Sequence, residues 1–134
     1  MNEFKKLFSL ALEEIDIATL LLEKEHYRAS ISRSYYSMYY AAQALLLSQN
    51  IDASTHKGLI RLFSLHFVKT GQFSSEWSNT LKVAYDLRQL SDYDADFTGT
   101  LAEAEKILEQ AKAFVAEVEK VLQELYGDRD QNLQ

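Results

Sequence analysis

The sequence predicts an all-α protein in which five helices form an antiparallel bundle. The 134 residues contain no proline and only four glycines, so few positions break a helix. Hydrophobic residues make up 47% of the chain, and through most of it they recur every three or four positions, as in helices that bury one face. This length favours a single domain, which we place at residues 1–126. Residues 127–134 lack an apolar period and are expected to form a frayed tail.

The first predicted helix covers about residues 2–24, where apolar side chains recur at helical spacing. The second covers about residues 26–48 and contains a cluster of tyrosines. At about 100° per residue, one face of this second helix presents Ile31, Tyr35, Met38, Ala42, Leu45 and Leu46. The opposite face presents Arg33, Tyr36, Tyr40, Ala44 and Leu47. A helix that is apolar on both sides is expected to be buried on both sides, so the second face needs a partner chain or a ligand.

The remaining helices are predicted from capping signals and periodicity. Ser54 or Thr55 is a candidate N-cap for a short helix over about residues 56–68. Residues 70–72, which include a glycine, are predicted to terminate this helix. Ser74 or Ser75 is the candidate cap of a fourth helix that runs to about residue 90, followed by an aspartate-rich loop over residues 91–99. Thr100 and Glu103 have the spacing of a capping box at the start of the last helix.

Composition excludes several classes of protein. The chain has no cysteine, so disulfides and thiolate metal sites are ruled out. Residues 1–70 carry eight basic and seven acidic side chains, and residues 71–134 carry six and thirteen. This acidic balance argues against broad affinity for duplex nucleic acid, although a local RNA site built from Arg28, Arg33, Arg61 and Arg88 remains open. With no signal peptide and no apolar run long enough to cross a bilayer, we expect a cytoplasmic protein without membrane contact.

Few motifs suggest metal or cofactor chemistry, and we predict neither a metal site nor a cofactor. Residues 92–103 imitate a calcium-binding loop, but Phe97 occupies the position that requires glycine. The three histidines are far apart in sequence, and His56 is interpreted as a helix cap or surface residue. Catalytic triads, glycine-rich phosphate loops and paired glutamates on one helix face are likewise missing from the sequence.

Two candidate functional segments remain, each with a structural alternative. Arg88 and Asp92 form either an ordinary i,i+4 ion pair or an arginine site for phosphate beside Tyr93, whose ring could stack on a base. The face with Arg33, Tyr36 and Tyr40 has two interpretations. It is either a structural surface, used in packing or in a dimer contact, or a cleft that binds a ligand.

The ordered set of segments ASISRSYYSMYYAAQALL (29–46), HKGLI (56–60), FVKTG (67–71) and RQLSDY (88–93) resembles the HEPN domain family over about residues 3–125. This resemblance implies an up-and-down four-helix bundle with an extra short helix, commonly a homodimer. Small members are often encoded beside a minimal nucleotidyltransferase as toxin–antitoxin pairs. Active members are metal-independent ribonucleases in which an arginine stabilises the scissile phosphate and a following histidine performs acid–base chemistry across the dimer.

The match to the catalytic motif of that family is partial. Arg88 matches the arginine, Gln89 replaces the usual Asn, Asp or His, and Tyr93 stands where the histidine is expected. Some relatives carry a tyrosine that the nucleotidyltransferase modifies with AMP, and Ala95 occupies that position here. Three hypotheses follow: a homodimeric module that binds RNA or nucleotide and a nucleotidyltransferase, a ribonuclease that uses Arg88 with Asp92 or Tyr93, and a purely structural interaction domain.

Overall fold

The computed structural model describes residues 3–127, and within this range the fold consists of five helices. They are α1 (Glu3–Glu23), α2 (Tyr27–Ser48), α3 (His56–Phe63), α4 (Glu76–Tyr93) and α5 (Leu101–Tyr126). α1, α2, α4 and α5 form the antiparallel up-and-down bundle, and α3 is the additional short helix. The predicted fold class is confirmed. The tail predicted for residues 127–134 lies, except for Gly127, outside the described residues.

α2 lies at the centre of the bundle and packs against each of the other four helices. The face predicted to be core is buried along its whole length, from Ile31 to Leu46. A second buried flank consists of small residues, which let neighbouring helices approach closely: Ser30, Ser34, Ser37, Ala41 and Ala44. On this flank the Ser30 hydroxyl donates a 2.8 Å hydrogen bond to the Ala18 carbonyl of α1. A narrow half-buried stripe is left, formed by Arg33, Tyr36, Tyr40 and Leu47.

The predicted caps are partly confirmed. Thr55 accepts a hydrogen bond from the Gly58 amide and caps α3, and Thr100 with Glu103 forms the predicted capping box of α5. Ser75 occupies the N-cap position of α4, but its backbone is already helical and its side chain accepts no capping bond. The prediction of a serine side-chain cap for α4 is therefore wrong.

α4 continues to Tyr93, three residues beyond its predicted end. The Asp94 amide still donates to the Leu90 carbonyl, and the Arg28 guanidinium of α2 donates to the carbonyls of Ser91 and Phe97. A cation that binds the free carbonyls at a helix C-terminus stabilises the last turn. The predicted loop over residues 91–99 is thus shorter, and Asp92 and Tyr93 are helical.

α3 is held against the bundle by an aromatic core. It continues without a break as a π-helical turn over Ser64–Val68. The rings of Phe63, Phe67, Phe73 and Phe114 contact one another with centroids 5.0–6.1 Å apart. This packing fixes the direction of α3, whose first residue, His56, comes to lie beside the tyrosines of α2.

Candidate functional site: a buried arginine among tyrosines

Arg88 is the central residue of the candidate site. It extends the buried stripe of α4 that includes Leu81 and Ala84, and only 4% of its surface is exposed. The guanidinium carbon lies 5.3 Å from the ring centroid of Tyr35, 5.5 Å from that of Tyr36 and 5.2 Å from that of Tyr85. Cation–π attraction of this kind strengthens when water is excluded. We call Arg88 and these three tyrosines the arginine pocket.

The charge of Arg88 is incompletely matched by the protein. Its one ion pair among the described residues joins Nη1 to Asp92 Oδ2 at a long 3.4 Å, and its Nε is buried without a hydrogen-bond partner. Burial acts to lower the Arg88 pKa, but the oxygens of Tyr36 and Asp92 outweigh it, so the pKa is raised and the side chain stays charged. A buried cation with so few acceptors is costly unless another group completes its shell. The pocket is therefore suited to an anion.

His56 lies beside the arginine pocket, which corrects its interpretation as a cap or surface residue. Its Nδ1 is 2.6 Å from the Tyr35 hydroxyl, and its ring stacks on Tyr39 with centroids 4.4 Å apart. The same ring is 5.7 Å from that of Tyr85. Burial, with a further contribution from Arg88, lowers the His56 pKa below its ordinary value of 6.5. His56 is consequently neutral at physiological pH.

No sequence spacing links His56 to this site. His56 reaches the tyrosines because α3, which follows the connector over residues 49–55, packs against α2. The Thr55 cap was the one local signal, since it makes His56 the first residue of α3. What that first residue faces is decided by the packing of α3.

The predicted residues of α2 lie at the open edge of the pocket. The Arg33 guanidinium sits 4.8 Å above the Tyr36 ring, and Arg33 Nη1 donates to both carboxylate oxygens of Glu14 at 3.1 and 3.2 Å. The Tyr36 ring is thus in cation–π contact with both Arg33 and Arg88. Tyr40 lies one turn further along and contacts Tyr36, with centroids 6.3 Å apart. Burial raises the Glu14 pKa, and the Arg33 charge opposes that rise.

Asp92 and Tyr93 occupy the other edge of the pocket. The Asp92 carboxylate accepts a 2.8 Å hydrogen bond from the Ser32 hydroxyl through Oδ1 and faces Arg88 through Oδ2. Tyr93 is 75% exposed, and its ring centroid is 6.0 Å from the guanidinium carbon of Arg88. Tyr36, Asp92 and Tyr93 therefore lie around Arg88, while Arg33 and Tyr40 are related to it only through Tyr36. Their functional roles stay predictions.

An open cleft of about 900 Å³ adjoins this edge. Arg33, Ser32 and Asp92 line it on the side of the pocket, and Phe97 and Gly99 line it on the side of the α4–α5 loop. Arg28 also lines the cleft, but its guanidinium is already bound to backbone carbonyls. Arg61, the remaining arginine of the predicted RNA site, lies exposed on α3. Asp94 accepts the Asp96 amide within the loop, and residues 3–127 contain no group of three His, Asp or Glu side chains placed to hold a metal.

Fold and site together define an all-helical bundle domain with a buried arginine at the centre of a tyrosine cluster. A model of the HEPN domain matches residues 4–121, and the chain belongs to that family. The Methanocaldococcus jannaschii protein named "Putative toxin MJ0605" is 35% identical over 124 residues, which are 92% of each chain. A second protein of that organism, "Putative toxin MJ0142", is 34% identical over 90% of this chain and 82% of its own.

A third relative is a UPF0332 protein of Thermotoga maritima, 31% identical over 93% of this chain and 98% of its own. The resemblance predicted from the sequence is thus confirmed, and the chain is a HEPN module related to proteins that carry toxin names. Within residues 3–127, no helix is long and apolar enough to cross a membrane.

Proposed function

We propose that this HEPN module acts in the cytoplasm as a homodimer that binds the phosphate of RNA or of a nucleotide through Arg88. We further propose that it belongs to a toxin–antitoxin or nucleotidyltransferase-linked system, with a minimal nucleotidyltransferase as its protein partner. The toxin names of the two M. jannaschii relatives support the first part of that assignment.

The incomplete shell of Arg88 is the observation that carries the proposal. A guanidinium binds phosphate through several parallel hydrogen bonds, and Nε of Arg88 is buried and unpartnered. Asp92 is its one ionic partner among the described residues, and that carboxylate keeps 27% of its side chain exposed. A phosphate that takes the place of the Asp92 carboxylate would add acceptors to the shell of Arg88.

The half-buried stripe of α2 supports dimerisation. Tyr36 and Tyr40 present aromatic surface, and the neighbouring Arg33–Glu14 pair joins it to α1. Leu10 and Ile17 lie one turn on either side of Glu14 and are 40% and 37% exposed. Aromatic and arginine side chains are enriched in protein interfaces, and aliphatic neighbours add apolar area. A second protomer bound to this stripe would bring the arginine pockets of the two protomers close to the shared interface.

The alternative enzyme hypothesis, a ribonuclease that uses Arg88 with Asp92 or Tyr93, has weaker support at these two positions. Asp92 is already bound to Ser32 and Arg88, and Tyr93 lies at the exposed rim. In the third hypothesis, a structural interaction domain, the stripe binds a partner and the arginine pocket has no ligand.

Fluorescence anisotropy with a labelled single-stranded RNA and with a labelled adenine nucleotide tests the proposal. Arg88→Lys keeps the charge but loses the forked donor geometry, and we expect it to weaken binding about 10-fold or more. Lys112→Ala is the control, since it removes an exposed cation of α5 that is not part of the predicted RNA site, and it should reduce affinity only slightly. Equal affinity of wild type and Arg88→Lys for both probes would refute phosphate binding at Arg88.

A further inference from the structure

We propose that the open cleft at the start of α2 is a binding site for a phosphate monoester. The cleft of about 900 Å³ is lined by the first turn of α2, the last turn of α4 and the α4–α5 loop. It adjoins the arginine pocket at Asp92 but does not include Arg88. A ligand bound here would leave Arg88 free, so this site goes beyond the proposed function and does not rest on it.

The first turn of α2 presents free hydrogen-bond donors to the cleft. α2 has 22 residues, and His26 at its N-cap position provides no side-chain cap. The amides of Tyr27, Arg28 and Ala29 have no hydrogen-bond partner among residues 3–127, and all three residues line the cleft. The start of a helix carries a partial positive charge, and this first turn contains no acidic residue to offset it. Such a helix end is suited to an anion.

A buried hydroxyl on the α4 side of the cleft is a second, independent donor. Ser91 lines the cleft and is only 4% exposed, and its Oγ has no hydrogen-bond partner in the described part of the chain. A buried hydroxyl normally bonds to the protein, and leaving it unpaired costs stability. A ligand oxygen in the cleft would give this hydroxyl the partner that it lacks.

Arg28 gives the cleft a positive charge. Its Nε and Nη1 donate to the carbonyls of Ser91 and Phe97, while among residues 3–127 its Nη2 has no hydrogen-bond partner and no carboxylate pairs with the guanidinium. Carbonyl oxygens carry only partial charges, so they satisfy hydrogen bonds without cancelling a full unit of charge. Arg28 can therefore bind a phosphate oxygen through Nη2 while it still holds the end of α4.

Two acids line the cleft but do not cancel this charge. Asp92 is already paired with the buried Arg88. Glu25, in the turn before α2, is exposed, so solvent screens its charge. The charge of Arg28 and the positive end of α2 therefore dominate the cleft.

Gly99 keeps the approach to the first turn of α2 open. A Cβ at this position would lie 3.5 Å from the Arg28 amide nitrogen and 3.1 Å from Cδ1 of Ile31. Any longer side chain would cover the start of the helix. The positive φ of Gly99, 75°, further restricts the position to glycine.

The size and walls of the cleft indicate an ester and not the inorganic ion. Sites for organic ligands measure about 300–1,000 Å³, and the volume of this cleft lies within that range. Leu21, Tyr27 and Phe97 give it half-buried apolar walls. The phosphate would face Arg28 and the free amides, and the organic part would pack on these walls. A free nucleotide and the 5′-phosphorylated end of an RNA strand both have this chemistry.

The test is a titration of the ¹⁵N-labelled full chain followed by NMR, with inorganic phosphate, uridine 5′-monophosphate and uridine as probes. We expect saturable shifts of the amides of Tyr27, Arg28 and Ala29 with inorganic phosphate and with the monophosphate. The monophosphate should bind more tightly than the inorganic ion, because its organic part buries apolar surface. Uridine should bind at least about 10-fold more weakly than its monophosphate, since it lacks the charged acceptor.

Two serine variants test the buried hydroxyl. Ser91→Ala should weaken binding of the monophosphate about 10-fold without lowering the midpoint of urea unfolding. Ser34→Ala is the matched control, since Ser34 is also buried with an unpartnered Oγ but does not line the cleft. It should bind the monophosphate as wild type does. Equal affinity of Ser91→Ala and wild type would overturn the site as proposed.

Two RNA strands that differ only in a 5′-phosphate or a 5′-hydroxyl distinguish the sources of the ligand. Tighter binding of the phosphorylated strand assigns the cleft to an RNA end, whereas equal binding of the two strands assigns it to a free nucleotide. If no phosphate probe shifts the amides of residues 27–29 while wild type still binds RNA, this site is overturned and the proposed function stands. If the amides shift but Arg88→Lys binds RNA as wild type does, the proposed function fails and this site stands.

Discussion

The Tyr35 hydroxyl and His56 Nδ1 are joined by a 2.6 Å hydrogen bond that links the central helix α2 to the start of α3. Tyr35 is almost fully buried in the core, whereas His56 is half-buried at its edge. The bond therefore connects the packing of the bundle to the one imidazole near Arg88. Its removal should affect both stability and the pH response of the site.

We expect Tyr35→Phe to lower the free energy of unfolding by about 1–2 kcal/mol, because it leaves a partly buried imidazole nitrogen without its partner. Urea denaturation at pH 7.5 followed by circular dichroism measures this change. Tyr40→Phe is the control, since no hydrogen bond to the Tyr40 hydroxyl is found among residues 3–127, and it should be nearly neutral. Equal stability of Tyr35→Phe and wild type would contradict the structural role of the bond.

The lowered pKa of His56 predicts how stability depends on pH. Below pH 6.5 the unfolded chain protonates this residue while the folded chain keeps it neutral, so acidification favours unfolding. His56 thus contributes stability that is present above pH 6.5 and lost as pH falls through the folded pKa. The opposite sign holds for Glu14, whose raised pKa favours the folded state at lower pH.

The difference between wild type and His56→Gln isolates the histidine contribution, because Glu14 is common to both proteins. We expect wild type to lose stability relative to the variant as pH falls from 7.5 to 5.5, in urea titrations at each pH. A constant difference across that range would show that folding leaves the pKa of His56 unchanged.

Asp92→Asn is predicted to strengthen phosphate binding. The substitution removes the negative charge that competes with a phosphate for Arg88, and the amide oxygen can still accept from Ser32. We expect RNA to bind several-fold more tightly at low salt, measured by anisotropy, with a loss of stability of about 3 kcal/mol because a buried cation loses its ionic partner. Asp86→Asn, an exposed acid paired with Lys82 at 3.8 Å, is the control. If Asp92→Asn instead leaves affinity unchanged and abolishes cleavage, Asp92 is a catalytic residue as first hypothesised.

The Glu14–Arg33 pair is predicted to be energetically coupled. Glu14 is largely buried, so Arg33→Ala leaves its carboxylate without a cation, whereas the double substitution with Glu14→Gln removes the charge as well. A double-mutant cycle in urea should give a coupling energy of about 1 kcal/mol at pH 7.5. A coupling energy near zero would mean that solvent screens the pair as it does an ordinary surface ion pair.

The stripe of α2 is predicted to be the dimer contact. Tyr40→Asp places a charge on that stripe, and sedimentation velocity should show a shift from dimer to monomer with unchanged helix content. Leu65→Asp alters an exposed leucine of the π-helical turn, 44% exposed, and should leave the dimer intact. A dimer that persists in Tyr40→Asp and dissociates in Leu65→Asp would move the interface to the other side of the molecule.

Local sequence rules predicted most of the helices and failed at the ends of α4. The capping box at Thr100 and the cap at Thr55 depend on side chains within three positions, so spacing alone reveals them. The last turn of α4 depends on Arg28, which binds the carbonyls of Ser91 and Phe97 from another helix. A stabilising group so distant in sequence leaves no local pattern.

The residues of the candidate site likewise fall into two groups, those that local sequence patterns predict and those whose position depends on packing. Arg88 and the α2 tyrosines were predicted because each belongs to a predicted helix, and Asp92 was predicted because it follows Arg88 at i,i+4 spacing. His56 was missed because its importance arises from where the rest of α3 packs.

The sequence by itself determined the helical class, the central buried α2, and the presence of an arginine beside tyrosines, because these follow from periodicity and residue type. Only the tertiary structure decided that Arg88 is buried with an unpartnered Nε, and that His56 lies against the same rings. The physical reason is that burial, charge balance and pKa depend on neighbours brought together from different helices, and the distance between two residues along a chain does not specify those neighbours.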